Sequence, residues 1–123
     1  MNLESIYQKL QIQDMNQMQK STYTATENQQ DVILLSPTGS GKTLAFLIPV
    51  LRNLDKNTSG IQALIMVPAR ELALQIEQVF KSMGTDFKIS ICYGGHDKKI
   101  EINNFREAPA ILIGTPGRIA YHL

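Results

Sequence analysis

The sequence predicts an α/β fold, a three-layer α/β/α arrangement around a mostly parallel sheet. Three observations predict it. Four short apolar runs have the length and composition of buried strands: Val32–Ser36, Ile61–Val67, Phe87–Tyr93 and Ala110–Gly114. A segment that reads as a helix follows each of them. Strands that alternate with helices need crossover connections, and crossovers join parallel strands.

Each element has its own warrant. Leu3, Ile6, Tyr7 and Leu10 recur at helical spacing and predict a short opening helix, which the polar stretch Gln11–Asn16 breaks. Gln17–Glu27 predicts a second helix, weakly patterned and rich in Thr and Gln, and Asn28–Asp31 a turn. After the first strand, Lys42–Leu54 reads as a helix containing Pro49, which lacks a backbone donor and predicts a kink or an early end. Asp55–Gly60 is a surface loop before the second strand. The helix after Pro68 places Leu72, Ile76, Val79, Phe80 and Met83 on one face, and Gly84 closes it. Gly94-Gly95 ends the third strand, Asp97–Phe105 reads as a helix with Ile100 and Phe105 inward, and a last helix starts after Gly114.

Composition bounds the function. The 123 residues are 43% hydrophobic and 19% charged, enough apolar mass for a buried core. Twelve basic against eleven acidic side chains leave a formal charge of +1, so no global field selects a nucleic acid. One cysteine, Cys92, excludes an internal disulfide and a cysteine zinc cluster, and an inert buried thiol is the expectation. No signal peptide and no run of about 18 apolar residues is present, so a cytoplasmic chain that does not enter membranes is expected. His96 and His122 read as surface residues, Lys98 and Lys99 as a solvated face, and the methionines with Phe46, Phe80, Phe87 and Phe105 as core.

The strongest chemical signal is SPTGSGKT, Ser36, Pro37, Thr38, Gly39, Ser40, Gly41, Lys42 and Thr43, between a strand and a helix. It matches the phosphate-binding loop Gly-x4-Gly-Lys-Ser/Thr, with Ser36 in place of the first Gly. Gly39 and Gly41 let successive N–H groups turn toward an anion, and the helix behind adds its positive dipole end. Lys42 supplies a point charge to β- and γ-phosphates, and Thr43 offers a hydroxyl to Mg²⁺.

Three further motifs follow in order: VPAREL at Val67–Leu72, YGG at Tyr93–Gly95 and GTPGR at Gly114–Arg118. Together with SPTGSGKT and TLAFLIPVL they resemble the first RecA-like domain of DEAD-box RNA helicases, from about Leu10 to Leu123. The resemblance implies ATP as ligand, Mg²⁺ as cofactor, and Lys42 and Thr43 as catalytic groups, with Thr43 reaching the metal bound to ATP. MNQMQ, Met15–Gln19, looks like the family's adenine-reading segment, with Gln19 as the reader. An amide donates and accepts at once, which suits an adenine edge. Met15 and Asn16 stand where the family has Pro and Thr or Ser, and Ile12 stands where it has an aromatic. For RNA the resemblance implies Pro68, Ala69, Arg70, Glu71, Gly94, Gly95, Thr115, Pro116, Gly117 and Arg118, with Ala69 replacing the family's Thr. Main-chain donors, small residues and arginines of this kind address sugar and phosphate, which gives sequence-independent binding. Taken singly, the Gly-Gly and Pro-Gly pairs are ordinary turns, and Arg70 and Arg118 have local carboxylates such as Glu71 to pair with.

The Asp-Glu-Ala-Asp run that names the family does not occur in these residues. The resemblance therefore implies the N-terminal portion of RecA-like helicase domain 1, residues 1–123, truncated before that motif and lacking the second RecA-like domain. It implies an ATP-dependent RNA helicase as the parent protein, negligible hydrolysis by this chain alone, and self-association through an uncovered sheet edge or helix-facing surface. Two other readings stay open: another P-loop ATPase such as a DNA helicase or translocase, and a non-enzymatic nucleotide- or RNA-binding module.

Overall fold

A computed structural model describes residues 2–28, 31–92 and 108–122. The chain divides into two compact units, Met1–Asn53 with Ser82–Gly84, and Leu54–Lys81 with Thr85–Leu123.

The described elements of the first unit are helices. Helix α1 (Leu3–Leu10) buries Ile6 and Tyr7. Asn2 caps it by accepting from the Ser5 N–H at 3.2 Å, and Gln11 ends it in the left-handed conformation with φ 60°. Helix α2 (Gln17–Asn28) is polar and buries Gln19 and Thr22. Helix α3 (Lys42–Arg52) buries Ala45, Leu47, Ile48 and Leu51. Pro49 lies inside α3, which stops at Arg52, short of Leu54. At that end the Arg52 guanidinium donates to the Tyr23 carbonyl at 3.0 Å and the Thr26 hydroxyl at 3.2 Å. It also lies 4.7 Å from the centre of the Tyr23 ring, so charge, hydrogen bonds and π-face tie α3 to α2.

The second unit holds a parallel sheet of β1 (Ala63–Met66), β2 (Ile89–Cys92) and β3 (Ile111–Gly114), in the order β1-β3-β2. Each strand lies within the apolar run that predicts it. The middle strand, β3, is buried throughout. The edge strand β1 alternates instead, leaving Leu64 and Met66 half exposed, so Met66 is not the core residue expected. Helix α4 (Arg70–Ser82) buries Ala73, Ile76 and Phe80, and Met83 continues the stripe. Leu72, expected on that face, is exposed because the stripe runs from Ala73 at three- and four-residue steps. Gly84 closes α4 with φ 65°. Helix α5 (Pro116–His122) buries Ile119.

The expected strand Val32–Ser36 does not form. Its residues are irregular, with Ile33 87% and Leu35 89% exposed. A strand buried on both faces needs a ladder on each edge. Among the described residues the only ladders are β1–β3 and β2–β3, in the other unit. The expected helix Asp97–Phe105, with His96, Lys98, Lys99 and Phe105, lies outside the described residues, as does part of the turn after Asn28.

Candidate functional site

The residues of SPTGSGKT form a bend closed by short bonds. The Ser40 N–H and hydroxyl both donate to the Pro37 carbonyl, at 3.3 and 2.6 Å, and the Ser36 and Ser40 hydroxyls bond each other. Gly39 and Gly41 take φ of 81° and 91°, a region that costs residues with a Cβ roughly 1–2 kcal/mol. Beside Gly39 the space is open, since a Cβ there would meet nothing within 4 Å. Gly41 is also the N-cap of α3 and brings no capping side chain. The first-turn N–H groups of α3 therefore keep their capacity for an external acceptor. The Lys42 and Thr43 side chains have no bonding partner among the described residues. Turned backbone, an uncapped helix start, an ammonium and a hydroxyl together fit a chain of phosphates and its cation. Pro37 and Thr38 are exposed on the rim of the bend.

Gln19 is placed against this bend. It is 5% exposed, and its Nε2 donates to the Gly41 carbonyl at 3.1 Å. Its Oε1 accepts from the Asn16 N–H at 2.9 Å, while Asn16 Oδ1 accepts from the Gln19 N–H at 2.9 Å. This reciprocal pair is a capping box that starts α2. Asn16 Nδ2 also donates to the Ser40 carbonyl at 3.0 Å. Each Gln19 amide atom thus makes one bond and retains one donor or acceptor position. The approach is close: a Cβ on Gly41 would lie 2.6 Å from Gln19 Nε2. Asn16 is the residue that sequence reasoning passes over as a mere departure, although the Asn-x-x-Gln spacing was a readable signal for a capping box.

Ahead of it, Asp14 pairs with Lys20 at 2.9 Å and accepts from the Met15 N–H at 2.7 Å. Lys20 and then that N–H hold the Asp14 carboxyl below the usual aspartate range. Burial pushes the Tyr7 hydroxyl up, and the neighbouring Asp14 charge adds to this.

The candidate RNA residues belong to the second unit. Met66 pairs with Gly114, and Gly114 with Cys92, so the three strands end level. The Val67 N–H donates to the Gly114 carbonyl at 3.0 Å, and the Thr115 N–H to the Cys92 carbonyl at 3.1 Å. Pro68–Glu71 and Thr115–Arg118 therefore leave adjacent strands at the same end of the sheet. Pro68, Ala69, Arg70, Glu71, Pro116 and Gly117 are exposed there, and Thr115 and Arg118 are half-buried. Gly94 and Gly95 follow β2 and lie outside the described residues. Gly114 admits no side chain, since a Cβ would come 2.5 Å from the Cys92 carbonyl oxygen and 2.8 Å from Ile119. Arg70 Nε sits 3.4 Å from Glu71 Oε1, the local pairing that the sequence left open. A bond from its own backbone N–H, and then Arg70, hold the Glu71 carboxyl below the usual range.

The profile of the DEAD/DEAH box helicase family matches residues 16–123. The chain belongs to this family. Among DEAD/DEAH box relatives, the ATP-dependent RNA helicase CshA of Limosilactobacillus reuteri is 38% identical over 108 residues, which cover 86% of this chain and 22% of that protein. The DEAD-box ATP-dependent RNA helicase CshC of Bacillus cereus is 35% identical over 119 residues, 95% of this chain and 31% of that protein. The crystal structure of a hypothetical ATP-dependent RNA helicase from Sulfolobus tokodaii matches with a TM-score of 0.81 at 32% identity, over 98% of this chain and 36% of that one. The chain thus spans less than a third of the length of both curated relatives. Its helices and small parallel sheet are those of the α/β RecA-like fold. Among the described residues no helix is long and apolar enough to cross a membrane.

Proposed function

We propose that this chain is the N-terminal portion of the first RecA-like domain of an ATP-dependent RNA helicase. Ser36–Thr43 bind the triphosphate of ATP, Lys42 meets the β- and γ-phosphates, and Thr43 reaches Mg²⁺. Mg²⁺, when bound, neutralises charge on the phosphate oxygens. Gln19 reads the adenine edge with its remaining donor and acceptor positions. Pro68–Glu71, Gly94-Gly95 and Thr115–Arg118 hold the RNA backbone without regard to sequence. Hydrolysis and unwinding need the Asp-Glu-Ala-Asp motif and a second RecA-like domain of the parent chain, so these 123 residues alone turn over no ATP. The cytoplasm is the compartment that fits a buried free thiol at Cys92. The half-exposed edge at Leu64 and Met66, with the exposed Ile33 and Leu35, makes copies of the isolated chain associate.

The observation that carries the nucleotide reading is the uncapped start of α3 behind two positive-φ glycines, with Lys42 unpaired among the described residues. The test is the affinity of the chain for ATP and GTP by titration calorimetry. Lys42→Ala removes binding of both, and Gln19→Ala narrows the preference for ATP. Unchanged binding by Lys42→Ala removes the phosphate-loop assignment. An unchanged ATP-to-GTP ratio in Gln19→Ala removes the adenine reader.

A further inference from the structure

We propose that Arg52 is a positioning residue for adenine selection: from the far end of α3 it fixes the rotation of α2 about its own axis, and so the approach of Gln19. The proposal rests on the reading of Gln19 as the adenine reader. At 1.5 Å per residue, α3 puts Arg52 about 15 Å from Lys42, so it acts through α2 and not on the nucleotide. Helix α2 needs such a restraint. It buries no apolar side chain; its buried residues are Gln19 and Thr22. The apolar stripe that usually sets how a helix is turned is therefore missing. Beside α2 lies an open groove of about 320 Å³, lined by its Thr22 and Thr26 and by Phe46, Pro49 and Val50 of α3. Close packing does not lock the two helices along this groove.

The Arg52 guanidinium supplies the restraint. Its side chain is only 19% exposed, and Glu27 Oε1 lies 3.7 Å from Nη1. Nη1 donates to the Tyr23 carbonyl at 3.0 Å and Nη2 to the Thr26 hydroxyl at 3.2 Å, while the Tyr23 ring centre is 4.7 Å away. A planar fork bonded at two points and laid against a ring fixes direction as well as distance. The Thr26 hydroxyl is itself held, since it donates to the Thr22 carbonyl at 2.8 Å. The groups that Arg52 holds share a face with Gln19. At about 100° per residue, Tyr23 lies about 40° and Thr26 about 20° round α2 from Gln19. A turn of α2 that Arg52 prevents would carry Gln19 sideways. The Gln19 Nε2 bond to the Gly41 carbonyl is 3.1 Å long, near the upper end of the useful range, so it tolerates only a few tenths of an ångström. The same displacement takes the amide off an adenine edge.

Arg52→Met keeps the stem and removes the guanidinium, whereas Arg52→Lys keeps the charge without the fork. Titration calorimetry on the 123-residue chain reads the affinities for ATP and GTP. In Arg52→Met the preference for ATP falls about three- to tenfold, the worth of one neutral hydrogen bond, and Arg52→Lys lies between it and the parent. With Gln19→Ala present, Arg52→Met changes the ratio no further. A purely structural arginine would lower both affinities by one factor, so an unchanged ratio in Arg52→Met overturns the proposal. The Gln19 Nε2 protons, which donate to the Gly41 carbonyl, give a second readout that needs no nucleotide. Their hydrogen exchange, followed by NMR, is about three- to tenfold faster in Arg52→Met, and unchanged exchange also overturns the proposal. A parent chain with equal affinity for ATP and GTP defeats the adenine reader instead, and exchange at Gln19 then decides whether Arg52 positions it.

Discussion

Replacing Gly41 with alanine probes the contact between α2 and the phosphate loop most directly. Two penalties apply. Gly41 has φ 91°, and placing a Cβ residue in that region costs roughly 1–2 kcal/mol. The new Cβ would stand 2.6 Å from Gln19 Nε2 and 3.3 Å from Asn16 Nδ2, so Gln19 must withdraw and give up its bond to the Gly41 carbonyl. Losing that bond adds about 1 kcal/mol. The sum is about 2–3 kcal/mol. Gly39 supplies the control, because its φ is 81° and its Cβ position is open. Gly39→Ala should therefore show the backbone penalty alone, roughly 1–2 kcal/mol. Urea denaturation followed by circular dichroism measures both. With a slope of about 2 kcal/mol per molar, the Gly41→Ala midpoint should fall about 0.5 M below that of Gly39→Ala. The difference should vanish when Gln19→Ala is present in both backgrounds. Equal midpoints for the two single variants would show that Gln19 does not press on Gly41, and the clasp would go with it.

Three further outcomes are expected. The lowered Asp14 pKa stabilises the fold above the unfolded aspartate value and loses that contribution as pH falls through the folded value, so the parent should weaken below pH about 4 more steeply than Asp14→Asn; superimposable urea midpoints from pH about 2 to 5 would refute the pairing. Met66→Lys combined with Ile33→Lys should lower the weight-average mass in sedimentation at high concentration, and an unchanged distribution would exclude these apolar residues as the contact. Arg118→Ala should reduce the salt slope of single-stranded RNA binding by about 0.7, and weaker binding at the same slope would mean that Arg118 meets no phosphate.

Much of the architecture was legible because it is local. The Ile6 and Tyr7 spacing and the glycine at position 84 each carry their meaning within one or two turns, whereas α3 runs on through Pro49 to Arg52. The phosphate loop was legible for the same reason: two glycines, a lysine and a threonine at fixed spacing between a run of Leu and a helix. What was not legible depended on distant partners. The period of α4 admits two neighbouring stripes, and the contacts of Ala73 and Ile76 select the one that excludes Leu72. Gln19 stands out through the family resemblance, but nothing in the polar helix around it tells that its amide meets the Gly41 carbonyl.

The contrast between Val32–Ser36 and β3 makes the physical reason plain. Both read as short Ile- and Leu-rich runs ending at a small residue, and composition cannot rank them. β3 has a parallel partner on each side, in register from Ile111 to Gly114, and its side chains are buried from end to end. Val32–Ser36 has no ladder among the described residues, and its isoleucine and second leucine face solvent. A parallel strand is a property of a pair, since its backbone donors and acceptors are satisfied by a neighbour and not by itself. The same logic governs the candidate RNA edge. Pro68–Glu71 and Thr115–Arg118 are far apart in the chain, yet the order β1-β3-β2 sets them on adjacent strands. Their nearness is therefore a product of strand order, which no local pattern in the sequence encodes.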